Sequence, residues 1–289
     1  MITHPFTYSS PATLDEAVRQ LARGGETKII AGGHSLLPLM KLGLEQPEAL
    51  VDLRRIAALR EIRTEADGTI VVGALATHRT IAQNETIKSK LAALGEAASA
   101  VGDLQVRARG TIGGSLAHSD PAADEPAPTL AFDATIRAIG ADGKRDIKAR
   151  DFFKGTFETA LGKGDILAEI RFPTPPGRTG SAYAKFAHPA SRFAVTGVAA
   201  VVTLGANGAI ERAAIGVTGA AASAFRATEA ERAITGTKGD ADAIAGAAAK
   251  AAAGVNTLAD LVASSEYRKH LITVFTKRAL ERAIERARG

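Results

Sequence analysis

The sequence predicts an α+β protein in two parts, and three observations carry that prediction. Short β-branched and apolar runs alternate with helix-capping patterns up to residue 172. The run PTPPG at residues 173–177 resists both regular structures and divides the chain. Beyond it, two long apolar, β-branched runs precede alanine-rich and amphipathic segments, the order expected of an α+β domain.

The first helix is marked by Thr13 as cap and Glu16 three residues on, a capping box, with Leu14, Ala17, Val18 and Leu21 on one face and Gly24-Gly25 as its stop. Residues 28–31 read as a strand that runs into Gly32-Gly33-His34-Ser35 and a short helix from Leu36. A strand is expected over 49–53, and 62–64 with 70–73 form a hairpin around Asp67-Gly68. Helical periodicity runs from Thr80 to about Val101, with Leu91, Leu94, Ala97 and Ala98 on the same side. Residues 128–132 read as a short helix, 135–139 and 147–149 as strands around Asp142-Gly143, and 166–172 as a strand. Past the break, 193–204 and 209–217 are strands and 220–233 and 241–253 helices. Residues 264–288 form a long amphipathic helix with Leu271, Phe275, Leu280 and Ile284 inward. Its late arginines, Arg278, Arg282, Arg286 and Arg288, read as a solvated face suited to a helix C-terminus rather than as a nucleic-acid patch.

Composition narrows the function. The chain has 289 residues, 46% hydrophobic, enough for a sizeable core. It has no cysteine, so it holds no disulfide, thiolate nucleophile or cysteine-ligated iron–sulfur cluster. The net charge of +5 is dispersed, and with 4% aromatic residues and no Trp a single-strand stacking platform is not expected. No apolar run of about 20 residues and no signal-peptide pattern is found, so the expectation is a cytoplasmic protein without a transmembrane segment.

The segment RGTIGGSLAHSDPAAD, residues 109–124, is the least ordinary stretch. β-branched Thr111 and Ile112 lead into Gly113-Gly114, where a chain can take positive φ or admit a foreign group. Ser115, His118, Ser119, Asp120 and Asp124 then crowd around Pro121 and Pro126, which argue for a structured loop instead of a regular helix. A plain surface turn remains open for such a composition. What separates the readings is duplication, because Gly32-Gly33 also follows an apolar run and precedes small polar residues. Exposed amides at such turns bind phosphate oxygens, and His34, Ser35, Thr111 and Ser115 add side-chain donors.

Commoner chemistries are not supported. Neither glycine pair makes G-x-G-x-x-G, and no G-x-x-x-x-G-K-[ST] occurs. The six histidines lack metal-ligand spacing, and no G-x-S-x-G elbow exists. Asp124 can accept hydrogen bonds from ribose hydroxyls or cap a turn.

AGGHSLLPLMKL at 31–42 and RGTIGGSLAHSDPAAD, together with QVRARGTIGG, DILAEIRFP, YAKF and SSEYRKHL, resemble the FAD-binding medium subunit of molybdenum hydroxylases. That group includes aerobic carbon monoxide dehydrogenase and the flavin domain of xanthine dehydrogenase. The resemblance implies a vanillyl-alcohol-oxidase-type (PCMH) FAD-binding domain over 1–176, in α/β subdomains of about 1–56 and 57–176. A C-terminal α+β domain of the carbon monoxide dehydrogenase flavoprotein type follows over 177–289. The implied cofactor is FAD. By position, Ile29, Ile30, Ala31, Gly32, Gly33, His34, Ser35 and Leu36 would wrap the pyrophosphate, and Thr111, Gly113, Gly114 and Ser115 would close the other side. Asp124 falls at the family's FAD-contacting aspartate, and Val101 is a further implied contact. Leu167 and Lys185 fall at the flavin end, and Phe193 replaces a tyrosine near the isoalloxazine. The GGS and HSDPAAD variants and the missing phenol at Phe193 are departures that point away from carbon monoxide as substrate.

What the resemblance implies of function is an oxidoreductase subunit that relays electrons through FAD, with no catalytic acid or base and no metal of its own. Its partners would be a molybdopterin-binding large subunit and a 2Fe-2S small subunit, in a dimer of heterotrimers, with no nucleic acid. Two alternatives stand beside it: a stand-alone PCMH-type flavin oxidase, and a flavin-free interaction subunit.

Overall fold

The computed structural model describes residues 3–289. A three-stranded parallel sheet opens the chain, with Ala49–Asp52 between Thr7–Ser9 and Thr27–Ile30. The helix Leu14–Leu21 crosses between its strands, capped by Thr13, whose hydroxyl accepts from the Glu16 amide at 3.2 Å. A five-stranded antiparallel sheet follows, in the order Ile62–Thr64, Ile70–Gly73, Ile166–Phe172, Thr135–Gly140, Gly143–Lys148. The expected hairpin closes at Gly68 with φ +84°, a backbone conformation that glycine adopts without steric cost. The last large sheet is antiparallel and four-stranded: Thr179–Ala187, Ala194–Leu204, Ile210–Thr218 and Phe225–Arg226.

All eleven residues of Ala194–Leu204 are buried because helices cover both faces of that sheet. Ala199 and Val201 join the core built by Ile70, Leu94, Ile112 and Phe172. Val198, Ala200 and Val202 face the other way, into a core shared with Leu271, Phe275, Leu280 and Ile284 of the long helix Ser265–Arg288. The proline-rich break at 173–177 therefore interrupts the secondary structure without interrupting the hydrophobic core. The α+β class is borne out.

Several local expectations are corrected. The periodic stretch 80–101 is three helices, His78–Gln83, Glu85–Lys90 and Ala92–Ala100, because Asn84 caps the second through the Ile87 amide and Leu91 leaves helical geometry. The strand Thr179–Ala187 and the helix Leu104–Arg109 lacked a clear period and were not expected. Residues 220–233 are only partly helical, since Phe225–Arg226 adds an edge strand before the helix Thr228–Ile234. The largest correction falls on 109–124, which contains the helix Ile112–His118. Thr111 caps it by accepting from the Gly114 amide at 3.2 Å, and Ser119 ends it in the left-handed region at φ 52°. Gly113 and Gly114 are thus helical and do not form a positive-φ turn. Pro126 does not break structure either, because it occupies the first turn of the helix Pro126–Ala131, where its missing N–H is harmless.

Candidate functional site

Gly32 and Gly33 require glycine for different reasons. A Cβ on Gly32 would stand 2.9 Å from both the carbonyl carbon of Arg109 and Gly110 Cα, so the two glycine segments predicted from sequence lie directly against each other. Gly33 has φ +78°, which turns the chain out of the strand Thr27–Ile30 and into the helix Leu36–Lys41. Among the described residues, no acceptor in the chain takes the amides of Gly33, His34 or Ser35. His34 and Ser35 are exposed, while Ile29, Ala31 and Leu36 are half-buried and Ile30 is buried beneath them.

The opposing segment is built differently. The Gly113 amide donates to Ala74 O at 2.9 Å, and Ser115 N to Thr111 O at 2.9 Å, so these donors are already used inside the chain. Thr111 and Gly113 are buried, whereas Gly114 is exposed and Ser115 half-exposed. A Cβ on Gly113 would meet Ala74 Cα at 2.8 Å, which makes its glycine a requirement of helix-to-chain packing.

A second cluster forms at Asp124, which is 4% exposed. Tyr183 donates to its Oδ1 at 2.6 Å, and the Lys185 ammonium lies 2.8 Å from Oδ1 and 2.9 Å from Oδ2. Burial raises the Asp124 pKa above the usual carboxylate value, outweighing the opposite pull of Lys185 and Tyr183. Burial, reinforced by Asp124, also drives the Tyr183 phenol well upward, so it remains a donor. Lys185 donates in addition to Ala100 O at 3.1 Å, beside the half-exposed Val101 that ends the helix Ala92–Ala100. Lys185, Tyr183 and Ala100 also line an open cleft of about 420 Å³ together with Phe275, Arg278 and Arg282.

Phe193 is 47% exposed, and the amide of the next residue, Ala194, donates to Ala122 O, two residues from Asp124. The structure therefore brings Val101, Asp124, Lys185 and Phe193 to one region. Leu167 is buried in the core of the five-stranded sheet, opposite Ala138. The reading from sequence missed Tyr183, which holds Asp124, and Glu96, which accepts from the Tyr183 amide and from Arg282 and Arg286. Two of the late arginines thus tie the long helix across the edge of the sheet and are not merely solvated. Tyr183 stood in YAKF, but its contact depends on a chain reversal that no local pattern signals.

The arrangement fits an anionic, extended cofactor: free amides at a left-handed glycine for phosphate oxygens, and a buried Lys–Asp–Tyr cluster beyond. Comparison with known proteins gives the same cofactor. The FAD binding domain in molybdopterin dehydrogenase matches residues 4–175, and the CO dehydrogenase flavoprotein C-terminal domain matches residues 181–283. The chain is 37% identical over 284 residues to the 6-hydroxypseudooxynicotine dehydrogenase complex subunit alpha of Paenarthrobacter nicotinovorans, covering 98% of this chain and 96% of that one. It is also 37% identical to the carbon monoxide dehydrogenase medium chain of Hydrogenophaga pseudoflava, covering 98% of each. The solved carbon monoxide dehydrogenase from Hydrogenophaga pseudoflava superposes with a TM-score of 0.94 at 38% identity over 99% of each chain. Quinoline 2-oxidoreductase from Pseudomonas putida 86 superposes with 0.93 at 32% identity, again over 99% of each. With its two halves matched in order and its whole length superposed, the chain belongs to the FAD-binding medium subunits of the molybdenum hydroxylases, oxidoreductase flavoproteins whose cofactor is FAD.

Proposed function

We propose that this chain binds FAD with the pyrophosphate at the seam between residues 29–36 and 111–115, and with the flavin end toward Val101, Asp124, Lys185 and Phe193. The observation that carries the reading is the packing of Gly32 on Arg109 and Gly110, which sets the free amides of Gly33, His34 and Ser35 beside the second segment. Because the amides of Gly113 and Ser115 are internally bonded, the clamp is asymmetric. The first segment supplies backbone donors, and the second supplies a wall with the Ser115 hydroxyl. Lys185, fixed between Asp124 and Ala100 O, presents a cation whose position does not depend on solvent. Leu167, buried in the core of the five-stranded sheet, is left out of this contact set.

When bound, FAD exchanges electrons singly or in pairs, while the protein supplies binding, orientation and electrostatic tuning. On this reading the chain takes electrons from the 2Fe-2S clusters of a small subunit, after substrate oxidation on a molybdopterin-binding large subunit, and passes them to an external acceptor. With no cysteine, the chain would leave such clusters to another polypeptide, and the medium-chain relatives support a three-subunit unit, which we assign as a dimer of heterotrimers. The cofactor domain spans 1–176, in subdomains of about 1–56 and 57–176, and the C-terminal domain spans 177–289.

The test is to incubate the isolated chain with FAD, remove free flavin and record the visible spectrum. A stoichiometric flavin spectrum without turnover of alcohols or amines supports the relay. A colourless protein would point to a flavin-free interaction subunit, and direct turnover to a stand-alone oxidase.

A further inference from the structure

His78 and Glu125 form an enclosed ion pair. Nδ1 lies 2.7 Å from Oε1, with 6% and 0% of the two side chains exposed. The other carboxylate oxygen of Glu125, Oε2, is buried without a hydrogen-bond partner. Desolvating such a pair costs about as much as its attraction returns, so apolar residues would fill the space at least as stably.

Its location gives the pair a use. The His78 amide donates to Gly110 O at 3.1 Å, and a Cβ on Gly110 would stand 2.6 Å from His78 Nε2 and 2.7 Å from Cδ2, so that edge of the imidazole packs against the glycine. Thr77 bridges to Thr111, and the amides of Ile112 and Gly113 donate to Ala76 O and Ala74 O. Residues 74–78 therefore support the segment 110–113, and Gly32 packs against the same segment at Arg109 and Gly110. Glu125 directly follows Asp124, so the pair touches both ends of the site.

We propose that His78 and Glu125 are positioning residues for FAD, holding the segment 110–113 against the Gly32 loop and linking FAD retention to the proton on His78. This rests on the reading of that seam as the pyrophosphate site. The charged groups facing His78 are Glu125, Asp124 and Arg107. Burial pulls its pKa down, but the charge and hydrogen bond of Glu125, aided by Asp124 and opposed by Arg107, leave it above its ordinary 6.5. A pyrophosphate over the same segment adds negative charge and strengthens the hold on the proton. With a raised folded-state pKa, the stabilisation is complete below 6.5 and is lost as pH rises through the folded value. FAD affinity falls at higher pH still, between the folded value of the flavin-free chain and the further raised value of the flavin-bound one.

The test titrates FAD into the full chain between about pH 6 and about pH 9, the range in which histidine changes charge, with binding read from flavin fluorescence. Wild type, His78→Gln, Glu125→Gln and His270→Gln are compared, and the thermal midpoints of the flavin-free proteins are followed in parallel. The expected dissociation constant of wild type rises about fivefold or more over this range, the lower end of ordinary site-to-site coupling. His78→Gln and Glu125→Gln flatten the curve, and His270→Gln, exposed on the long helix away from the seam, keeps its slope. A flat wild-type curve or a slope retained in His78→Gln overturns the inference and leaves the seam as the binding site. Midpoints that lose their pH dependence while FAD binding keeps its slope overturn it too, since the pair would then be structural only. Should His78→Gln fail to fold, Glu125→Gln decides, because the carboxamide preserves shape. A wild-type chain that takes up no FAD at any pH sinks the proposed site and this inference together.

Discussion

The Lys185 ammonium lies 2.8 Å from Asp124 Oδ1, with 7% and 4% of the two side chains exposed. Removing the cation leaves a carboxylate enclosed with only the Tyr183 hydroxyl to compensate it. Lys185→Met is expected to lower unfolding free energy by about 3 kcal/mol, as breaking a buried pair does. The pair with Asp124→Asn should recover a large part of that loss. Urea denaturation of the two single variants and the double variant measures the coupling, and strictly additive losses would contradict it.

Gly33 carries the turn into the segment proposed to bind the pyrophosphate, at φ +78°. Gly33→Val adds a β-branched side chain where the backbone disfavours it and where Leu37 Cδ1 already lies 2.9 Å from the Cβ position. FAD content after gel filtration should drop to background with the far-ultraviolet dichroism unchanged. Gly33→Asn tolerates the left-handed backbone better and should retain more flavin, which separates strain from crowding.

Arg268 is 4% exposed and donates to Val195 O and Gly219 O at 2.6 Å each, and to Asp260 at 2.6 Å. It therefore stitches the long helix to two neighbouring strands. Arg268→Met takes the charged donor from Gly219 O and leaves Val195 O with the Thr196 hydroxyl alone, and should cost about 3 kcal/mol in chemical unfolding. Arg268→Lys should rescue only a minor part, because an ammonium cannot reproduce the planar fork.

Asp52 ends its strand opposite Ile30 and accepts from the Arg54 amide at 2.9 Å, Arg54 Nε at 2.7 Å and Tyr8 at 2.6 Å. Burial would raise its pKa, but these hydrogen bonds and the Arg54 charge hold it below the ordinary 3.8. Its stabilisation is thus present above 3.8 and lost as pH falls through the lower folded value. Asp52→Asn should cost about 1–2 kcal/mol at neutral pH. Unfolding curves repeated in acid should show wild type and variant converging, whereas a constant gap would point to shape instead of charge.

A candidate phosphate-binding loop was legible in sequence because its features are local: a strand running into Gly32-Gly33, a positive φ at Gly33 and small polar residues after it. Capping rules likewise place the helix after Thr13, and the 3.6-residue period places Leu271, Phe275, Leu280 and Ile284 inward, since both are set within one or two turns of chain. Tertiary structure decided the rest. Gly113-Gly114 looks like a turn in sequence, yet it is helical because Thr111 caps it and Ala74 receives the Gly113 amide from 39 residues away. Whether Asp124 would be a free acceptor or a buried partner depended on Tyr183 and Lys185, separated from it by 59 and 61 residues. Likewise, the pairing of His78 with Glu125 spans 47 residues, a contact made by packing and not by any spacing along the chain. The sequence by itself determined the class and the two glycine segments, because propensity and hydrogen-bond capacity are local properties, and the resemblance of its motifs to a known family named the cofactor. Only the folded chain decided which donors remain free and which charges are buried, because those depend on what the rest of the molecule brings into contact.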